Sequence, residues 1–168
     1  MKSFGTKQIA ASGIMAALVC VTTLFIVFPI PATQGYFNVG DAMVMVAALT
    51  FGPLVGAFAG GVGAGLADVL GGYSYFAPYT FFIKGIEGLL AGLIVARGRR
   101  QSSLKIVLAW LVGGFEMVTG YLVAEYFFLG YGAFAFVEIP FNFVQMSVAG
   151  LVGIPISLAL RRTRIGAA

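Results

Sequence analysis

Histidine is absent, cysteine occurs once and charge is scarce: Asp, Glu, Lys and Arg together make up 10% of the 168 residues. Each shortage removes a class of protein. A soluble domain carries roughly 25% charged residues, so a chain that is 60% hydrophobic cannot cover itself with a polar surface. With no imidazole, and with Cys20 alone inside an apolar run, disulfides and thiolate or imidazole metal sites are out of reach within one chain. No Gly-x-x-x-x-Gly-Lys-Ser/Thr phosphate loop occurs, which excludes ATP hydrolysis by that route. The Gly-x-Gly matches lack the strand–turn–helix context of a dinucleotide site. No catalytic residue, metal or cofactor is therefore expected.

What is present is apolar sequence in lengths that suit a bilayer. Runs fall at about 8–28, 39–51, 54–70, 76–96, 104–128 and 138–160. The stretch 39–70 is too long for one crossing of about 30 Å at 1.5 Å per residue, and Phe51-Gly52-Pro53 is a helix-breaking turn signal. The net charge of +4 invites a nucleic-acid reading, which its distribution opposes. Nine of the ten basic residues occupy three places: Lys2 and Lys7; Arg97, Arg99, Arg100 and Lys105; Arg161, Arg162 and Arg164. Six spans put all three on one side of the membrane, and the positive-inside tendency makes that side cytoplasmic. The first run exceeds the 7–15 residues of a typical signal core and is kept as a span. The expectation is an all-α integral membrane protein: one membrane domain over 1–168, a six-transmembrane-helix bundle in the cell membrane with both termini cytoplasmic. The segments 29–37, 71–76 and 129–137 would face outward.

None of the six acids, Asp41, Asp68, Glu87, Glu116, Glu125 and Glu138, falls in an expected cytoplasmic segment. Most sit in the outer half of the bundle, and Glu116 and Gln145 lie deeper. An ionisable group near a helix centre costs roughly 2.5–3.5 kcal/mol on insertion scales, so such groups face a cavity or each other. Lys84 and Glu87 share a helix face. They either pair with each other and with Asp41 or Asp68, or line a ligand cavity. Glu138 at the water boundary is also readable as a solvated helix end. Tyr36, Phe37, Tyr73, Tyr75 and neighbouring aromatics suit an interfacial belt, with a few free to stack on a planar ligand. The candidate binding set is Asn38, Asp41, Lys84, Glu87 and Asn142, with Tyr36 and Tyr73 as stacking partners. Pro29 through Phe37 suits a shaped cover over that region. Small residues four apart, Gly56/Gly60, Gly61/Gly65 and Gly88/Gly92, predict close helix packing.

Asn38-Val39-Gly40-Asp41, Phe51-Gly52-Pro53-Leu54-Val55-Gly56, Gly65 through Tyr73, Ala77-Pro78 and Lys84 through Gly92 together resemble the substrate-binding S components of energy-coupling factor (ECF) transporters. The likeness is to the riboflavin and hydroxymethylpyrimidine subgroup. The specific motifs lie in 38–92. The resemblance implies a subunit that captures a vitamin-like heterocycle at the outer face, beneath the first loop. It also implies a transmembrane coupling protein and two cytoplasmic ATPases as partners. Family members dock through small residues on the first helix, often Ala-x-x-x-Ala. The nearest matches here are Ser12/Ala16 and Gly13/Ala17. A stand-alone carrier, proton-coupled through Glu116 or Glu87, is the alternative. An intramembrane aspartyl protease is a weaker one, because such enzymes carry Gly-x-Gly-Asp where this chain has Asn38-Val39-Gly40-Asp41.

Overall fold

The computed structural model describes residues 5–31, 33, 35–96 and 102–163. Of the basic clusters, Lys2, Arg97, Arg99, Arg100 and Arg164 lie outside the described residues. The apolar runs become helices at nearly their expected limits: α1 (Thr6–Phe25), α2 (Gly40–Phe51), α3 (Pro53–Gly71), α4 (Ala77–Ala96), α5 (Ser103–Phe128) and α6 (Gly132–Arg161). Two departures have local causes. Pro29 and Pro31 lack backbone donors and push the residues before them out of helical conformation, so α1 stops at Phe25. The next residues form an antiparallel hairpin of β1 (Val27–Ile30) and β2 (Gly35–Asn38), with Phe28 opposite Phe37 and Pro29 opposite Tyr36. The described chain is therefore not purely α. The segment 132–137, expected as an outer loop, is the tight 3-10 first part of α6.

Among the described residues, five helices are long and apolar enough to cross a membrane: α1, α3, α4, α5 and α6. Helix α2 has 12 residues, about 18 Å at the usual rise. Its side chains are buried nearly all round, Val44 through Thr50 without a break, as expected of an apolar helix with no amphipathic stripe. It packs against α1, α3, α4 and α6, so it forms the axis of the bundle. The break at Phe51-Gly52-Pro53 is real. Gly52 takes φ 96°, a conformation that glycine adopts without penalty, and Pro53 opens α3.

Glycine also sets the α3–α4 distance. A Cβ on Gly56 would stand 2.7 Å from the Gly88 carbonyl oxygen, and one on Gly60 would overlap the Lys84 carbonyl. The two backbones touch where side chains normally intervene, which is how small-residue pairs drive packing in lipid. The outer surface is correspondingly apolar: Ile14, Leu18, Phe25, Leu54, Phe82, Phe127 and Leu151 are exposed, while Asp41, Asp68, Lys84, Glu87, Glu125 and Glu138 are buried. That arrangement inverts a soluble protein and suits a hydrocarbon surround.

Because the obstacle at Gly60 is backbone, Gly60→Val should cost more than the roughly 1–3 kcal/mol of ordinary overpacking. Gly13, where an added Cβ would meet nothing within 4 Å, is the contrast position. Thermal unfolding in detergent should show loss of the folded species for Gly60→Val and a melt near wild type for Gly13→Ala.

Candidate ligand-binding site

The floor of the site is built around one ammonium. Lys84, 1% exposed, donates from Nζ to Asp41 Oδ1 at 2.5 Å and to Glu87 Oε2 at 3.3 Å. It also lies 5.3 Å from the centre of the Tyr121 ring, within cation–π range. The second oxygen of Asp41 accepts from Gln145 Nε2 at 2.9 Å. Gln145 Oε1 accepts from the Asn38 backbone N–H at 2.8 Å. The Asn38 side chain then accepts from the Gly40 N–H at 2.8 Å, an Asx-type turn that links β2 to α2. An unbroken set of bonds thus runs from α4 through α2 and α6 to the hairpin.

Above this floor lies a cavity of about 20 Å³ lined by Tyr36, Asn38, Asp68, Phe76, Thr80, Tyr121, Glu125, Glu138, Asn142 and Gln145. The β hairpin roofs it. Alternation along β2 sends Phe37 toward Phe28 and Phe141, while Tyr36 packs on Tyr73 with ring centres 4.5 Å apart. The Tyr36 hydroxyl donates to Asp68 Oδ1, and the Thr33 hydroxyl donates to Glu138 Oε1. Burial, followed by the neighbouring Asp68 charge, pushes the Tyr36 phenol well above its ordinary range, so it remains a donor. On the wall, Tyr121 donates to Thr80 Oγ1 at 3.1 Å, and Thr80 stands beside the Asp68 carboxylate.

Asp68 Oδ2, Glu87 Oε1 and Glu116 Oε2 are buried without a hydrogen bond within 3.5 Å among the described residues, and the Glu125 and Glu138 carboxyls lie against each other on the wall. Glu125 sits in a π turn, Ala124–Phe128, at the end of α5. Such an insertion rotates a side chain out of the regular helical register and is frequent at functional sites.

The sequence-derived candidates divide by position. Tyr36, Asn38 and Asn142 line the cavity. Asp41, Lys84 and Glu87 are bonded to one another in the floor, and Tyr73 backs Tyr36 from outside the cavity. Glu138 is buried and bonded to the cover, so the solvated-end reading of it is corrected. Asp41 and Asp68 are likewise buried rather than at a wet helix end. They bond different partners, Lys84 and Gln145 against Tyr36. Sequence reasoning did not select Asp68, Phe76, Thr80, Tyr121, Glu125, Glu138 or Gln145 as wall residues. The acids and Gln145 carried a signal, being polar within apolar runs, and Phe76 belonged to the outer aromatic group, whereas Thr80 and Tyr121 carried none. Of the docking set, Ser12 and Ala16 are buried in the bundle while Gly13 and Ala17 are exposed.

Comparison with known proteins bears on the family and the fold. The sequence profile described as ECF-type riboflavin transporter, S component, matches residues 3–162. Thiamine precursor transporter HmpT of Lactococcus lactis subsp. cremoris is 30% identical over 98% of this chain and 94% of its own length. A Pyrococcus woesei protein described as uncharacterised, in the gap 3′ region, is 45% identical over 80% of this chain and 87% of its own. Among solved structures, one reported under "Structure and mechanism of the S component of a bacterial ECF transporter" superposes with a TM-score of 0.69. It covers 93% of this chain and 96% of that one at 24% identity, which speaks for the fold.

Removing the ammonium would leave Asp41 and Glu87 as buried carboxylates without a counter-ion. Lys84→Met should therefore cost about 3–5 kcal/mol, read as a lowered melting temperature in detergent. Adding Asp41→Asn and Glu87→Gln to that variant should restore much of the loss.

Proposed function

This chain belongs to the family of ECF-type riboflavin transporter S components, and from that membership we propose that it captures a vitamin or vitamin precursor, a small heterocycle, beneath the β1–β2 hairpin at the outer face. The observation that carries the reading is the polar cavity closed by Tyr36 and Thr33 from the hairpin. At about 20 Å³ it is far below the roughly 300–1,000 Å³ of small-molecule sites. Capture then requires the hairpin to lift, and the bonds to Asp68 and Glu138 are the latch that re-forms or is replaced by ligand. S components are transporter subunits, not an enzyme class. For this chain the partners are a transmembrane coupling protein and two cytoplasmic ATPases, and no nucleic acid is involved.

The proposed topology has six crossings in the cell membrane with both termini cytoplasmic. Pro31 and Gly35 of the cover region share a surface depression with Gly72 and Tyr73 beyond α3. The α2–α3 hairpin therefore returns to the end of the bundle from which it started, which supports an even number of crossings between them. At the other end, Gly52 and Ala96 border Arg161, consistent with a basic inner face. Helix α2 crosses while short because protein, not lipid, surrounds it.

Docking on the partner module is assigned to the outward pair Gly13 and Ala17 on α1, which lets backbones approach. The buried pair Ser12 and Ala16 holds α1 to its own bundle.

Two experiments test these statements. In a Cys20→Ser background, Pro31→Cys and Ser74→Cys should both label from outside intact cells, and Ser103→Cys only after permeabilisation. Labelling of Ser103→Cys from outside sinks the six-crossing topology. Gly13→Leu should leave vitamin binding within about twofold of wild type while abolishing uptake and co-purification with the coupling protein. Uptake into liposomes that contain this chain and no ATPase would instead establish a stand-alone carrier, with Glu116 or Glu87 as the proton-coupling candidates.

A further inference from the structure

We propose that the inner end of the bundle carries a second site, remote from the capture cavity, which takes the phosphate group of an anionic phospholipid, and that Arg161 and Thr50 hold it. The proposal rests on the reading of this end as the cytoplasmic face and is independent of which vitamin is captured.

The site is the notch where the α2–α3 turn meets the ends of α4 and α6. Thr50, Phe51, Gly52, Gly92, Ala96 and Arg161 border a space of about 230 Å³, several times the roughly 30 Å³ that one water takes up. Backbone geometry keeps it open. A Cβ on Gly92 would stand 2.6 Å from the Pro53 nitrogen, so α4 runs directly against the turn. Gly52 reverses the chain at φ 96°, and a Cβ there would meet nothing within 4 Å.

Two polar groups on this notch have no partner. Thr50 is 7% exposed. Helical hydroxyls often bond back to a carbonyl three or four residues earlier, as Thr22, Thr119, Ser147 and Ser157 do. Thr50 Oγ1 makes no such bond and no other among the described residues. Arg161 Nε is also buried and unbonded, and Arg161 joins no salt bridge among the described residues. The chain's own acids stand elsewhere. Asp41 opens α2 at the end opposite Phe51. Asp68, Glu125 and Glu138 line the cavity under the hairpin, Glu87 pairs with Lys84, and Glu116 lies inside α5.

Water in the notch completes hydrogen bonds but brings no charge, whereas an anion brings both. The guanidinium fork matches phosphate oxygens in pairs, and the threonine hydroxyl adds a donor. A lipid is the favoured source because Ala48, Phe51, Val95 and Ala96 wall the same notch with apolar groups. The notch also lies at the level where positive residues gather, which is the level of the anionic inner-leaflet headgroups. A simpler use of Arg161 is to complement the C-terminal ends of α2, α4 and α6. That use needs no ligand and does not distinguish one lipid from another.

Thermal unfolding of the detergent-purified full chain, titrated with phosphatidylglycerol, phosphatidylcholine or inorganic phosphate, separates these readings. Phosphatidylglycerol should raise the melting temperature saturably, and the other two should not at equal concentration. Arg161→Gln should weaken the apparent affinity for phosphatidylglycerol at least about tenfold and Thr50→Val at least about fivefold, as expected for bonds to a charged group. Arg162→Gln removes the same charge from an exposed neighbour and should leave the affinity within about twofold. Thr50→Val keeps shape and charge, so it decides the question even if Arg161→Gln fails to fold. Unchanged affinity in folded Thr50→Val, or equal losses in Arg161→Gln and Arg162→Gln, reduces the site to a diffuse surface field and overturns it. Equal stabilisation by both lipids leaves only the helix-end role and overturns it too. Inorganic phosphate matching phosphatidylglycerol overturns the lipid assignment. Indifference to phosphatidylglycerol, with coupling-protein co-purification lost in Arg161→Gln, gives the notch to a partner's carboxylate instead. Vitamin affinity should stay within about twofold in all three variants, so failure here leaves the capture reading standing.

Discussion

A helix bundle that shows hydrocarbon side chains to its surroundings has to settle every charge internally, and in this chain the settlement centres on Lys84. Its ammonium lies between Asp41 of α2 and Glu87 of its own helix. Through Asp41 and Gln145 it reaches α6, and through Gln145 and Asn38 it reaches the base of the β hairpin. In a low-dielectric interior such a network is strong when satisfied and costly when any member is lost. The cover over the cavity is thus mounted on the most tightly tied part of the molecule.

The polar interior divides into two kinds of site. The floor is continuous: Lys84, Asp41, Gln145 and Asn38 are bonded in an unbroken chain. The wall is a set of separate pairs, with Tyr36 on Asp68, Thr33 on Glu138 and the Glu125 carboxyl beside that of Glu138. A connected network fixes geometry, whereas isolated pairs can be exchanged one at a time. Tyr36 and Thr33 connect the wall to the cover, so a ligand that takes over their acceptors also alters what holds the cover down.

Backbone proximity supports the same division. With Gly56 and Gly60 against the α4 backbone, the helices that carry Asp68 and Lys84 are held at short separation. The small residues of α1 fall on two faces separated by about a quarter turn: Ser12 and Ala16 face the bundle, Gly13 and Ala17 face outward. One helix can therefore be part of the core and still present an uncluttered surface to a partner.

Helix positions were legible in the sequence because length, apolarity and breakers act locally: the turn at Gly52 and the limits of α2 through α5 follow from a few adjacent residues each. Membership in a membrane transporter family was legible too, from motifs confined to 38–92. The chemical identity of the site was readable as polar residues that an apolar run has no other reason to hold. Their division of labour was not. Which partner an acid meets depends on helix rotation, and the π segments at Ala59–Ala64, Ala124–Phe128 and Ala149–Gly153 shift that rotation without a clear mark in the residues. The hairpin was hidden for a related reason. Val27 and Phe28 continue an apolar run, and only the strand pairing with Gly35–Asn38, made across the top of the folded bundle, gives those residues a structure. What local propensity can encode, the sequence determined; what depends on angles and distances between separate helices, tertiary packing decided.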